Sequence, residues 1–118
     1  LLLDTTGEDN PQLVRMMQGL NGGIGSSGDV CGCMAAGCCM ISNFTGKPGD
    51  TDYDSPHHKS AIGEFARWFE EEMMLEYGSI DCRDIVGTSP AKKVQYCPQI
   101  IAAVYEKCIE ILESKGLL

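Results

Sequence analysis

Residues 19–39 read GLNGGIGSSGDVCGCMAAGCC, a glycine-rich approach that runs into a cysteine cluster. Within it, Gly23-Ile24-Gly25-Ser26-Ser27-Gly28 has the spacing G-x-G-x-x-G. A dinucleotide fingerprint needs a strand before the first glycine and a βαβ unit around it. Here the preceding residues carry a helical pattern, and strand-like runs are hard to find elsewhere. The stretch therefore reads as a tight loop between two helices, and that reading makes the chain all-α. Glycines tolerate positive φ and close backbone approach, so Gly23, Gly25, Gly28 and Gly32 are expected to line whatever the loop surrounds.

The helix that follows is expected from about Val30 to Ile41, with Ser27 or Asp29 as its cap. At 100° per residue Cys31, Met34, Cys38 and Ile41 share one side, while Cys33, Ala36 and Met40 lie on another. Ala35, Ala36 and Gly37 leave room for a second helix. On a continuous helix Cys31 and Cys38 stand about 10 Å apart along the axis, too far to share one metal ion. Cys38 and Cys39 are accordingly expected to pack as small buried hydrophobes.

Upstream, Asn10-Pro11 signals a helix start, and Leu13, Met17 and Leu20 recur at helical spacing. Leu1 to Leu3 read as the end of an earlier helix whose beginning lies before the chain. Downstream, Asn43 to Ser60 reads as loop, with His57 and His58 at its end as weak metal-ligand candidates. A long helix is expected from Ser60 to Tyr77, with Ile62, Phe65, Phe69 and Met73 as its buried stripe. Its Glu70, Glu71 and Glu72 form a solvated face, and Trp68 sits at the edge of the core or covers a dimer contact. Gly78 to Gly87 reads as a turn and a short helix capped by Ser79 or Asp81. After a loop from Thr88 to Gln95, Pro98 is taken as the first residue of the last helix and Cys97 as its cap. Ile101, Val104, Cys108 and Ile111 are its expected buried stripe. The whole chain, 1–118, is thus a single helical domain of about five helices with a glycine-rich loop.

The chain of 118 residues is long enough for a real hydrophobic core. Its seven cysteines are many, and an odd number cannot all pair within one molecule. Metal ligation or thiol redox chemistry in a reducing, cytoplasmic setting accounts for them better than a disulfide framework. A net charge of −8 disfavours nucleic acid and anionic membrane surfaces as partners and suits a basic redox protein. No apolar run approaches the roughly 20 residues needed to span a bilayer.

Cys31, Cys82 and Cys97 are far apart in sequence, yet each is expected at or just inside a helix N-terminus. Unpaired N–H groups and the helix dipole lower thiol pKa values there, and the thiolate is the form that attacks disulfides and binds metals. Cys33 can supply a fourth sulfur.

The chain resembles the C_GCAxxG_C_C family of redox-active proteins. The resemblance rests on Gly22-Gly23-Ile24-Gly25 leading to Cys31-Gly32, on Gly78-Ser79-Ile80-Asp81-Cys82-Arg83, and on Tyr96-Cys97, and it covers about Val14 to Leu112. Cys33 stands where the family usually has Ala, and Ala36 where it usually has Gly. The family's first cysteine, on an N-terminal helix, has no counterpart: it lies upstream, or Cys33 replaces it. The resemblance implies a helical, sometimes dimeric redox domain found beside transport or electron-transfer functions.

These readings lead first to an electron-transfer protein with an iron–sulfur cluster on Cys31, Cys33, Cys82 and Cys97. The same thiolates suit a structural zinc. The alternative is metal-free thiol–disulfide chemistry, with Cys82 or Cys97 as nucleophile and Cys31 as resolving thiol. A third reading is an interaction module in which the cysteines mostly pack. C-x-x-C, H-E-x-x-H and P-loop motifs are all absent. Homodimerisation is suggested by stray Met and aromatic positions.

Overall fold

A computed structural model describes residues 1–118. The elements are α1 (Leu2–Thr6), α2 (Pro11–Met17, extended by a 3-10 turn at Gln18–Leu20), α3 (Gly32–Thr45), α4 (His58–Tyr77), α5 (Cys82–Ile85) and α6 (Pro90–Ser114). There is no sheet; Val30 and Asp81 form one isolated antiparallel bridge. The fold is all-α, as the helical spacing and the absent strands imply. No helix is long and apolar enough to cross a membrane.

Three long helices, α3, α4 and α6, pack against one another and enclose the core. The expected stripe of α4 is buried at Phe65, Phe69 and Met73, with Ala61 beside it, while Ile62 packs at the margin. Close approach of α3 to α4 centres on Gly37, one residue beyond Ala36. A Cβ at Gly37 would lie 2.2 Å from Cζ of Phe65, so only glycine fits. Trp68 is half-buried against the core, with Lys107 Nζ 5.9 Å from its ring centroid. Glu70 and Glu71 are solvent-exposed and Glu72 is half-buried.

Several boundaries move from expectation, each for a local reason. Asn10 caps α2 by accepting a hydrogen bond from the Leu13 amide at 3.0 Å, as its placement before Pro11 suggests. Helix α3 runs one turn past Ile41 because Thr45 is fully buried, donating to the Ile41 carbonyl at 3.0 Å. Thr45 Oγ1 also lies 2.8 Å from Nδ1 of His58, the first residue of α4. That contact engages one ring nitrogen of His58, while His57 is exposed as the α4 cap.

The largest correction concerns the last helix. It starts at Pro90, not Pro98, with the Ser89 hydroxyl accepting from the Lys92 amide at 3.2 Å. Ser followed by Pro is a stronger start than Cys followed by Pro, because the serine oxygen satisfies an otherwise unpaired amide. Pro98 lies inside the helix. Its buried stripe is Ile100, Val104, Cys108, Ile111 and Leu112, whereas Ile101 is 45% exposed.

Candidate functional site

The glycine-rich loop is left-handed over five consecutive residues: Gly22, Gly23, Ile24, Gly25 and Ser26 have φ between 61° and 70°. The turn is closed by long-reach amides, among them Gly25 to the Gly19 carbonyl at 2.9 Å and Asp29 to the Gly23 carbonyl at 3.0 Å. The glycines serve the chain's own packing. A Cβ on Gly23 would lie 2.6 Å from Cβ of Cys82, one on Gly28 3.0 Å from Cβ of Arg83, and one on Gly32 2.4 Å from the Leu20 carbonyl oxygen. Of the four glycines expected to line a ligand, Gly25 alone faces open space.

From this turn the chain runs antiparallel to residues 80–83. The Cys31 amide donates to the Ile80 carbonyl at 2.8 Å, and the Cys82 amide to the Asp29 carbonyl at 2.8 Å. Cys31 and Cys82, each following a residue of the Val30–Asp81 bridge, therefore face the same side of it. Cys31 is the cap residue of α3, Cys33 the second residue of that helix, and Cys82 the first residue of α5. Cys97 is not at a helix start. It enters from inside α6, one turn after Lys93, so the dipole argument does not apply to it.

The four thiols, all half-buried, are electrostatic neighbours. The Cys33 thiol hydrogen-bonds to the Cys31 sulfur and, against the opposing effect of burial, brings Cys31 down from 9.0 to about 7. The Cys33 and Met34 amides at the helix start assist, without closing a conventional capping bond. Cys33 is pushed far up by the same interaction, by burial, and by the charges on Cys31 and Cys97. Cys82 and Cys97 are also pushed up, first by burial and then by the Cys31 charge, with Lys93 partly offsetting both. Of the three cysteines expected to be activated by a helix start, only Cys31 is lowered, chiefly by the Cys33 thiol and secondarily by the helix-start amides. The four-residue α5 has little dipole to offer Cys82, and Cys97 has none to draw on.

Outside this cluster, Cys108 is buried, its Sγ 3.7 Å from the Gly37 carbonyl oxygen, and burial followed by the Cys38 charge pushes its thiol up to about 12. Cys38 packs half-buried against the core, but Cys39 is exposed, contrary to the expected burial, on the part of α3 that borders an open groove facing the N-terminal helices. Tyr77 and Tyr96 flank the cluster, their ring centroids 5.2 Å apart. Burial, followed by the charges of Glu76, Tyr96, Cys97 and Cys31, raises the Tyr77 hydroxyl. Cys33 also borders an open apolar groove of about 760 Å³ between the N-terminal helices and α3 and α6.

As donors, the four sulfurs have the right chemistry for zinc or an iron–sulfur cluster. No three His, Cys, Asp or Glu side chains converge at ligating geometry, however, so the observed arrangement is not a formed metal site. Searches of curated proteins and of solved structures return no match. The family profile described as "Putative redox-active protein (C_GCAxxG_C_C)" matches residues 1–111. With that match spanning the glycine turn and all four clustered thiols, the chain belongs to the C_GCAxxG_C_C family of redox-active proteins.

Proposed function

We propose that this protein is a thiol–disulfide redox protein in which the Cys31 thiolate is the nucleophile and Cys33 the resolving thiol. One observation carries this reading: Cys31 caps α3 and Cys33 is its second residue, so two half-buried thiols stand two residues apart where the helix-start amides favour a thiolate on Cys31. Cys31 is ionised near neutral pH while Cys33 keeps its proton and donates it to the Cys31 sulfur. Attack by Cys31 on a substrate disulfide forms a mixed disulfide and releases one substrate thiolate. That step removes the negative charge that holds Cys33 up, so Cys33 loses its proton to the departing thiolate and attacks Cys31. The Cys31–Cys33 disulfide forms and the second substrate thiolate leaves. The protein loses two electrons and the substrate gains them.

Cys82 and Cys97 take over the disulfide within the molecule. A Cys82 thiolate attacks Cys31, breaking the Cys31–Cys33 bond, and Cys33 leaves and takes up the proton that Cys82 lost. Cys97 then gives its proton to solvent and attacks Cys82, releasing Cys31 as a thiolate, whose low proton affinity makes it the best leaving group of the four. The Cys82–Cys97 disulfide carries the same two-electron deficit, and a partner dithiol reduces it and departs as its own disulfide. The sequence-based expectation makes Cys82 or Cys97 the nucleophile and Cys31 the resolving thiol; here Cys31 is the nucleophile and Cys33 the resolving thiol.

The test is to treat fully reduced protein with one equivalent of diamide, which accepts two electrons and two protons from a pair of thiols. Free thiols are then blocked with N-ethylmaleimide at successive times and disulfides mapped by mass spectrometry. At the earliest quench a Cys31–Cys33 link, lost in Cys31→Ser, is the expected result, and in Cys82→Ser that link should persist; Cys31 and Cys33 unlinked in Cys82→Ser at every time would overturn the reading. A second reading, iron–sulfur or zinc ligation by Cys31, Cys33, Cys82 and Cys97, is favoured by the mutual proximity of these sulfurs and requires Cys82 and Cys97 to close in. Iron, sulfide and zinc analysis of anaerobically prepared protein decides it.

A further inference from the structure

Arg83 contacts the glycine-rich loop twice through one atom. Its backbone amide donates to the Gly28 carbonyl at 3.1 Å and its side-chain Nε donates to the same oxygen at 2.8 Å. Gly28 has φ +74°, and a Cβ there would press on Cβ of Arg83 at 3.0 Å, so the arginine closes directly onto the loop. The contact lies one residue from Cys82 and three from Cys31 in their respective segments. Between them are the two backbone hydrogen bonds that pair residues 29–31 with 80–82. The loop needs such a tether. Ile24 and Ser26 carry side chains at φ 62° and 61°, a region that L residues with side chains disfavour, and Ile24 is β-branched. A free loop would relax out of this turn and carry the Asp29 carbonyl away from the Cys82 amide that donates to it. Arg83 itself is exposed, so its role is not one of filling the core.

We propose that Arg83 is a positioning residue: by clasping the Gly28 carbonyl it holds Cys82 in register with Cys31 for passage of the disulfide between them. This inference rests on the thiol–disulfide reading above. It concerns only the second exchange, because Cys31 and Cys33 are neighbours on α3 regardless of the loop.

Three substitutions separate the clasp from charge and bulk. Arg83→Gln keeps an N–H the same number of bonds from the backbone as Nε, without charge; Arg83→Lys keeps the charge without a nitrogen there; Arg83→Met keeps neither. Each reduced variant receives one equivalent of diamide, is quenched with N-ethylmaleimide at successive times, and is mapped for disulfides. Amide hydrogen exchange at Cys31 and Cys82 and the thermal midpoint are measured alongside.

The Cys31–Cys33 link is expected to form at the wild-type rate throughout. Its passage to Cys82 should slow about twofold to tenfold in Arg83→Met and Arg83→Lys, the effect of one net hydrogen bond, and stay near wild type in Arg83→Gln. Exchange of the Cys82 amide should rise by a similar factor in the first two. Unchanged passage in Arg83→Met overturns the proposal, as does rescue by Lys but not Gln, which would assign the effect to charge. If Arg83→Met fails to fold, the Gln and Lys variants still decide. A wild-type protein that forms Cys31–Cys33 but no link to Cys82 defeats this inference and leaves the dithiol reading standing. The absence of the Cys31–Cys33 link defeats the dithiol reading first, and this inference with it.

Discussion

A single residue, Gly32, separates the two thiols whose proton affinities diverge most. Cys31 and Cys33 differ because one sulfur cap is shared: the proton that stays on Cys33 stabilises the charge on Cys31. Removing the donor by Cys33→Ala should move the pH midpoint of Cys31 alkylation by iodoacetamide upward from about 7 toward 9.0. The sign follows from the thiolate being the reactive form. In the wild type the fast reaction is present above about pH 7 and lost below it; in the variant it is lost already at a higher pH. A midpoint that stays put would transfer the effect to the helix-start amides. That Cys31 lies at a helix start was legible in the sequence, since glycine approach and helical spacing meet there, but Ser27 or Asp29 is the expected cap and Cys31 itself takes that place. That Cys33 is its hydrogen-bond donor was not, because spacing says nothing of which way two side chains turn.

Elements place those residues, and their limits are only partly legible in the sequence. The start of α6 lies eight residues before the one that the sequence suggests, because Cys97-Pro98 imitates the signal that Ser89-Pro90 provides with a true side-chain cap. Ser89→Ala should therefore cost about 1 kcal/mol of stability in chemical denaturation, the usual price of a lost N-cap. An unchanged midpoint would show that packing alone sets this helix start. The contact of α3 with α4 is more demanding, because the Phe65 ring occupies the space of a Gly37 side chain. Gly37→Ala is expected to destabilise the protein by about 1–3 kcal/mol through overpacking. Small residues at positions 35–37 announced a close helix contact in the sequence; which of them touches the ring depends on the azimuth at which two helices meet.

Across the whole molecule, stability is unevenly distributed. All thirteen residues of the hydrophobic core come from α3, α4, α6 and the Ile85–Val86 segment, whereas α1 and α2 bury none. Native-state hydrogen exchange should therefore show the lowest protection over residues 2–17 and the highest in the middle of α4 and α6, because local opening costs least where little apolar surface is buried. Equal protection in α2 and α4 would contradict that distribution. The cysteine cluster lies at the boundary of the region that holds the core, where α3 begins and the loop and α5 meet.

Local chemistry was within reach of the sequence by itself. The periodicity of the apolar residues and the absence of a strand before Gly23 determined an all-α chain, and Asn10-Pro11 and Gly78 marked helix ends through interactions only a few residues long. Membership of a redox-active family was likewise carried by short motifs in order. Tertiary structure alone decided that Cys97 reaches the cluster from inside a helix, that Cys31 is the only one of the four thiols lowered, and that the glycines make room for Cys82, Arg83 and Leu20. Each of those depends on which surfaces meet when distant segments pack, and on the burial and charge that the meeting creates. Spacing along a chain carries the first kind of information and not the second.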